Sequence, residues 1–374
     1  MLSHSNIFIS LALSFTIVYF VIPKIIKVSR IIKLYDVPNH RSAAKQIVPT
    51  LGGIAIFAGF IISTIVSSNS LSINELKYMF VGVTVMFLIG LKDDIIGMSA
   101  KKKLISQIVI ALYLVILGNY RITNLHNILG IQEIGYVIGV LISVITIVGI
   151  INAFNLIDGI DGLASGIGIL ASVIFGVLFL NAGDYIYSIT CFSLTGSLVA
   201  FYLYNVFGHA NKIFMGDTGS LILGIVIAII IIHFIGFTPV FNNAVQGSAA
   251  IALSLIIVPV IDTIRVFAIR ISQRRSPFSP DMNHIHHNLL KLTGNHLTTS
   301  SIIIAVNGVI IWLSFILVAE IEEPILFFIL LIAGFILAGI PAIMVKRQSK
   351  NTMIEIIEKK SIFALSIITK KLKN

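Results

Sequence analysis

The chain has 374 residues, 57% of them hydrophobic and only 11% charged, where a soluble domain carries about a quarter charged. That balance excludes a soluble globular protein, and the single cysteine, Cys191, excludes an internal disulfide and a cysteine-based zinc site. The net charge of +10 does not point to nucleic acid, since no basic patch interleaved with aromatics is present and basic loops on one membrane face account for the excess.

Apolar windows of about 19 residues place eleven segments, near 6–27, 51–68, 78–91, 104–118, 134–151, 164–180, 186–206, 219–236, 247–269, 300–318 and 324–345. They predict an all-α, polytopic membrane protein with about 11 transmembrane helices; the third and fourth segments are short, so ten is the alternative count. Residues 1–345 read as a single transmembrane domain carrying the catalytic loops. Residues 346–374, which mix Ile354, Ile357, Phe363, Leu365 and Ile368 with Lys359, Lys360, Lys370 and Lys371, read as a basic amphipathic tail on the inner leaflet.

With eleven spans, one set of loops holds only Lys77 and Arg121, and the other holds the remaining 24 of the 26 lysines and arginines. By the positive-inside rule the second set is cytoplasmic. The first apolar stretch has no basic residue before it and several after it, the reverse of a secretory signal peptide, so the N-terminus is expected outside and uncleaved, with the C-terminus inside. Eight aspartates, Asp36, Asp93, Asp94, Asp158, Asp161, Asp217, Asp262 and Asp281, fall in or beside the cytoplasmic loops; Asp184 lies opposite. Anionic lipid headgroups are the natural partners of so basic a face.

Between the third and fourth spans runs Lys92-Asp93-Asp94, then Lys101-Lys102-Lys103. Adjacent carboxylates at a membrane edge are tolerable with a cation close by, although solvated helix ends offer a plainer reading. The next loop places Asn152, Asn155, Asp158 and Asp161 three apart, a spacing that on a helix makes one polar ridge. Helix packing explains its Gly159 and Gly162 but not the ladder. At the start of the eighth span stands Phe214-Met215-Gly216-Asp217-Thr218. Asp217 suits both a helix cap and a Mg²⁺ ligand, and a helix N-terminus also receives phosphate; Phe214 is a platform for a nucleobase. Asp262, inside the ninth span, reads as support for Arg265 or the edge of the site. The largest loop carries Arg270, Arg274, Arg275, Asp281, His284, His286 and His287. Three imidazoles without a cysteine or a fitting acid favour phosphate or sugar recognition over zinc. Acids at one face distinguish this pattern from an ion or solute transporter, whose site is expected near mid-bilayer.

In order along nearly the whole chain, Asp36-x-Pro38-Asn39-x-Arg41 with Pro49-Thr50-x-Gly52-Gly53, Asp93-Asp94, Asn152-x-x-Asn155-x-x-Asp158-Gly-x-Asp161-Gly, Phe214-Met-Gly-Asp217 and His284-x-His286-His287 resemble the polyprenyl-phosphate N-acetylhexosamine-1-phosphate transferases of glycosyltransferase family 4, membrane enzymes that start bacterial glycan assembly on a lipid carrier. The run from Ser276 to Leu290 is similar to the branch that uses UDP-N-acetylglucosamine for teichoic acid, O-antigen or common antigen. The muramoyl-pentapeptide branch usually carries three consecutive histidines, which this loop lacks, and ranks second. The resemblance implies Mg²⁺, with Mn²⁺ able to substitute, at Asp217 with Asn155 near it, and uracil held by Phe214 and Asp161, with Asp158 beside the nucleotide. It implies Asp93 and Asp94 flanking the reacting phosphates, Lys103 on the lipid phosphate or diphosphate, and Arg270 with His284, His286 and His287 over the sugar phosphate. The partners implied are a UDP-sugar, a polyprenyl phosphate and the lipids of the inner membrane; a homodimer stays open. One position departs from the pattern: Ala44 stands where the family usually has a histidine.

Overall fold

A helix that is apolar on every side has no face to offer water and belongs at the centre of a bundle, and the stretch Gly216–Ile235 is such a sequence. In the computed structural model, which describes residues 4–32, 48–236, 248–277 and 281–372, it is the central helix. In chain order the helices are α1 (His4–Ile32), α2 (Gly52–Ser67), α3 (Ser70–Ile96), α4 (Ala100–Ile116), α5 (Tyr136–Ile157), α6 (Leu163–Asn181), α7 (Tyr185–Phe207), α8 (Gly216–Ile235), α9 (Ala249–Leu255), α10 (Ile257–Ser272), α11 (Ile285–Thr293), α12 (His296–Leu317) and α13 (Glu323–Leu372). Helices α2, α3, α5, α6 and α9 pack around α8, while α1 runs along α7 and α2. Among the described residues the remaining regular pairing is one isolated bridge, Asn124 with Glu133.

Each of the eleven expected segments is helical, but the expected count of spans is too high. Among the described residues seven helices are long and apolar enough to cross a membrane, or eight if α9 and α10 form one bent span. Helices α2 and α4 have 16 and 17 residues, short of the roughly 20 a bilayer core requires. Helix α3 is longer than its apolar core because it continues through Lys92, Asp93 and Asp94, so these charges sit on its last turn and not in a loop. Lys103 likewise lies on the first turns of α4.

The ninth segment, expected as one span, bends by 83° between α9 and α10. Pro259 has no N–H to continue the ladder across the break, and Asn307 of α12 fills in. Its side chain accepts from Val258 N at 3.4 Å and donates to Leu255 O at 3.2 Å. Small residues let other helices close on α8: a Cβ on Gly53 of α2 would stand 2.2 Å from the backbone nitrogen of Gly219, so these two backbones touch directly. Helix α13 runs without interruption past residue 345, while the side chains of residues 351–374 of the expected amphipathic tail, and the motif from Asp36 to Arg41 with Ala44, lie outside the described residues.

Candidate active site

Three segments converge on the first turn of α8. Phe214 N donates to Pro49 O (2.8 Å), Gly52 N to Phe214 O (3.0 Å) and Gly53 N to Met215 O (2.9 Å), so the Pro49–Gly53 run zips against the chain entering α8. Gly216 turns there with φ +72°. A Cβ on it would lie 2.1 Å from Thr50 O and 2.7 Å from Asp94 Oδ2, so both its backbone conformation and the space around it demand glycine.

From α3, Asp94 reaches the same turn. Its Oδ1 accepts from Asp217 N at 2.8 Å, and its Oδ2 accepts from Thr218 N at 2.9 Å and Thr218 Oγ1 at 2.5 Å. The cap expected of Asp217 therefore falls to Asp94, which leaves the Asp217 side chain to other partners. Burial, offset in part by the Thr218 bonds, pushes Asp94 up to about 6.

Those other partners include Lys103 and Asn155. Lys103 Nζ lies 2.8 Å from Asp93 Oδ2 and also bonds Asp217 Oδ1, while Asn155 Nδ2 donates to Asp217 Oδ1 at 2.6 Å and to Ser220 Oγ at 2.9 Å. Burial works against the charge on Lys103, but Asp217 and then Asp93 outweigh it and hold its pKa above the ordinary lysine value. Asp93 Oδ1 also accepts from Met98 N at 2.6 Å, closing the turn after α3.

The polar ladder is not one helical ridge, because α5 ends at Ile157. Asn152 and Asn155 lie on the helix, and Asn152 Nδ2 bonds Gln107 Oε1 of α4 at 2.7 Å. Asp158 and Asp161 follow on the turn beyond. Burial, then the carboxylates of Asp217, Asp94 and Asp161, push Asp158 well above the usual carboxylate range. Asp161 is compensated differently: Lys212 Nζ and His296 Nδ1 stand 2.6 and 2.9 Å from its Oδ2, and they outweigh burial to lower its pKa. Lys212 also lies 5.7 Å from the centroid of the half-buried Phe214 ring. Sequence reasoning missed both Lys212 and His296. The position of Lys212, two residues before Phe214, was a usable signal; His296, distant in the chain, gave none.

Arg270, His284 and Asp281 form a second, buried cluster. Arg270 is 2% exposed and holds Asp281 in two bonds of 3.0 and 3.1 Å, with Pro277 O and His284 Nε2 as further partners. Burial would raise Asp281, but Arg270 holds it down at about 2. Asp262 fixes the start of α11, accepting from Ile285 N at 3.0 Å and pairing with His284 Nδ1 and Arg265 Nη2 at 2.8 Å each, in line with the supporting role read for it. His286 is the link to the first cluster. Its Nε2 lies 2.5 Å from where a Gly159 Cβ would be, beside Asp158, and neither ring nitrogen has a hydrogen-bond partner among the described residues. Burial and then His287 push its pKa down to about 3, and burial also lowers that of His287.

No group of three or more His, Cys, Asp or Glu among the described residues forms a ready metal cage. The donor set fits a hard cation of another kind. Asp217, Asp94 and Asp161 are close enough to Asp158 to raise its proton affinity, and Asp217 does the same to Asp94, while Mg²⁺ takes one or two carboxylates and completes its shell with substrate phosphate oxygens. Asp217 with Asn155 would hold it.

A family model described as glycosyl transferase family 4 matches residues 76–235, which carry Asp93, Asp94, Lys103, Asn155, Asp158, Asp161, Phe214 and Asp217. Across that stretch, 160 of the 374 residues, the chain is similar to glycosyl transferase family 4. The chain is 29% identical over 292 residues to the probable undecaprenyl-phosphate N-acetylglucosaminyl 1-phosphate transferase of Bacillus subtilis (strain 168), covering 78% of this chain and 79% of that relative. It is 28% identical over 277 residues to the undecaprenyl-phosphate alpha-N-acetylglucosaminyl 1-phosphate transferase of Yersinia pestis, covering 71% and 72%. The relative of that name in Escherichia coli O157:H7 is 28% identical over 273 residues, 71% of each chain.

Proposed function

We propose that this protein transfers GlcNAc-1-phosphate from UDP-GlcNAc to undecaprenyl phosphate, giving undecaprenyl-diphosphate-GlcNAc and UMP, with the site and the C-terminus on the cytoplasmic side. The observation that carries the reading is the Lys103 ammonium held between Asp93 and Asp217 at the N-terminus of α8. A lipid phosphate oxygen attacks the β-phosphorus of the donor, the bond from the bridging oxygen to that phosphorus breaks, and UMP leaves with the bridging oxygen. The acceptor's second pKa is about 6, so it is largely dianionic at neutral pH and needs little proton removal.

Assembling roughly four negative charges in a partly desolvated cleft is the larger barrier, and catalysis is mainly electrostatic. Lys103 supplies a fixed positive charge, and the N-terminus of α8 adds its dipole. Phe214 and Lys212 stand ready for the nucleobase and its phosphate, with Asp161 held in place by Lys212 and His296. Mg²⁺ at Asp217, when bound, would neutralise diphosphate charge and orient it for in-line displacement.

The test is UMP release by purified protein in nanodiscs from a panel of UDP-sugars with undecaprenyl phosphate. UDP-GlcNAc should be turned over in a manner abolished by chelator and restored by Mg²⁺. Equal release without the lipid acceptor, or a preference for UDP-MurNAc-pentapeptide, would refute the assignment.

A further inference from the structure

Helices α10, α11, α12 and α13 enclose a cavity of about 190 Å³ whose lining is apolar throughout, from Ile257 and Ile261 to Ile303, Val306, Ala338 and Pro341. Its floor is buried, with Ile257 and Ile261 each 1% exposed. The mouth is not: Ile302, Leu337, Ile340 and Met344 line it and are exposed on two of the membrane-crossing helices, so it opens towards lipid. An engineered apolar cavity of about 150 Å³ stays dry and takes up an apolar guest. At about 190 Å³ this one is somewhat larger.

Charge specifies the rest of the guest. Ile285 and Leu289 of α11 line the cavity and, four residues apart, share a face; at 100° per residue His286 and Lys291 lie on opposite sides of that face. His286 turns to Gly159 and the candidate active site, so exposed Lys291, on the last turn of α11, lies on the side of that helix away from it. Exposed Arg347 follows Met344 by one turn on α13, which packs against α11. A lipid whose chain enters here therefore carries its phosphate towards Lys291 and Arg347 rather than towards Lys103, which disfavours the reacting acceptor as occupant.

We propose that the cavity binds one acyl chain of an anionic glycerophospholipid, with the headgroup phosphate against Lys291 and Arg347, and that the bound chain braces α11 and its histidines. The role is separate from that of substrate and does not depend on which sugar is transferred.

The test uses the full chain in phosphatidylcholine vesicles doped with phosphatidylglycerol that carries a diazirine midway along one acyl chain. Photolabelling should concentrate on residues 302–310 and 334–344 and should fall sharply in Ala338→Phe, which fills the cavity. Neutralising Lys291 or Arg347 should lower it by about fivefold each, the worth of one basic residue at an anionic lipid surface. Unlabelled phosphatidylglycerol should compete in the wild-type protein, a measurement that needs no variant to fold. Even labelling of all lipid-facing helices, indifference to Ala338→Phe, or preferential competition by undecaprenyl phosphate would overturn the proposal. Because labelling is read without turnover, its failure is distinct from a failure of UMP release.

Discussion

Lys103 stands between two carboxylates, one of which, Asp93, has a side chain only 9% exposed. Replacing it with methionine leaves Asp93 and Asp217 facing each other without a cation, and removes the positive charge offered to the phosphates. Lys103→Met should lower the rate of UMP release by about 10²–10³-fold, the usual cost of losing a group aimed at developing charge. Lys103→Arg should not restore it, since a planar fork does not replace a compact ammonium in a site built for one. A variant with near-normal turnover would remove Lys103 from the chemistry. At this scale the sequence was informative about which acids matter, because carboxylates at a membrane edge need a reason to be there. It was silent on how adjacent acids divide the work. Asp93 takes Lys103 and Asp94 caps α8, a difference set by the 100° between neighbours on α3 and visible only once α3 is packed against α8. Arg270 illustrates the same limit: its charge was evident, but its commitment to Asp281 depended on the path of the loop.

Helix positions were largely legible, since a long apolar run in a membrane has little alternative to helix. Breaks were harder to see, because they depend on partners elsewhere in the chain. The bend before α10 rests on Asn307, buried on α12. Asn307→Leu should strand the backbone groups of Leu255 and Val258 in an apolar setting and destabilise the fold by about 1–2 kcal/mol, measured as a lower midpoint of thermal unfolding in detergent; an unchanged midpoint would show that the bend holds itself. On the opposite face, His126 joins the loop before α5 to the ends of α8 and α13, with Nδ1 3.3 Å from Glu323 Oε2 and Nε2 2.9 Å from Ile235 O. Two acceptors favour the doubly protonated ring, and the Glu323 bond, against some burial, raises its pKa above 6.5. The folded value exceeds the unfolded one, so this clasp contributes fully below about pH 6.5 and is lost as pH rises through the folded value. The unfolding midpoint should therefore fall between about pH 6 and pH 9, and the slope should shrink in His126→Phe. An equal slope in both proteins would assign the effect elsewhere.

Across the whole molecule, α8 carries the polarity of the site. Its N-terminus holds Asp217 among the carboxylates, while His233, paired with Asp184 at 2.8 Å, lies 16 residues and about 24 Å further along the axis. The acids of the candidate site thus stay at one end of the bundle, as the proposed meeting of two anionic substrates at a membrane surface requires, and the central helix that holds them there is buried along nearly its whole length. The most direct test of this account follows the phosphorus. With UDP-GlcNAc labelled at the β-phosphate and undecaprenyl phosphate as acceptor, the label should pass into the lipid phase in step with unlabelled UMP. Label left in water as UDP, with sugar alone on the lipid, would contradict it.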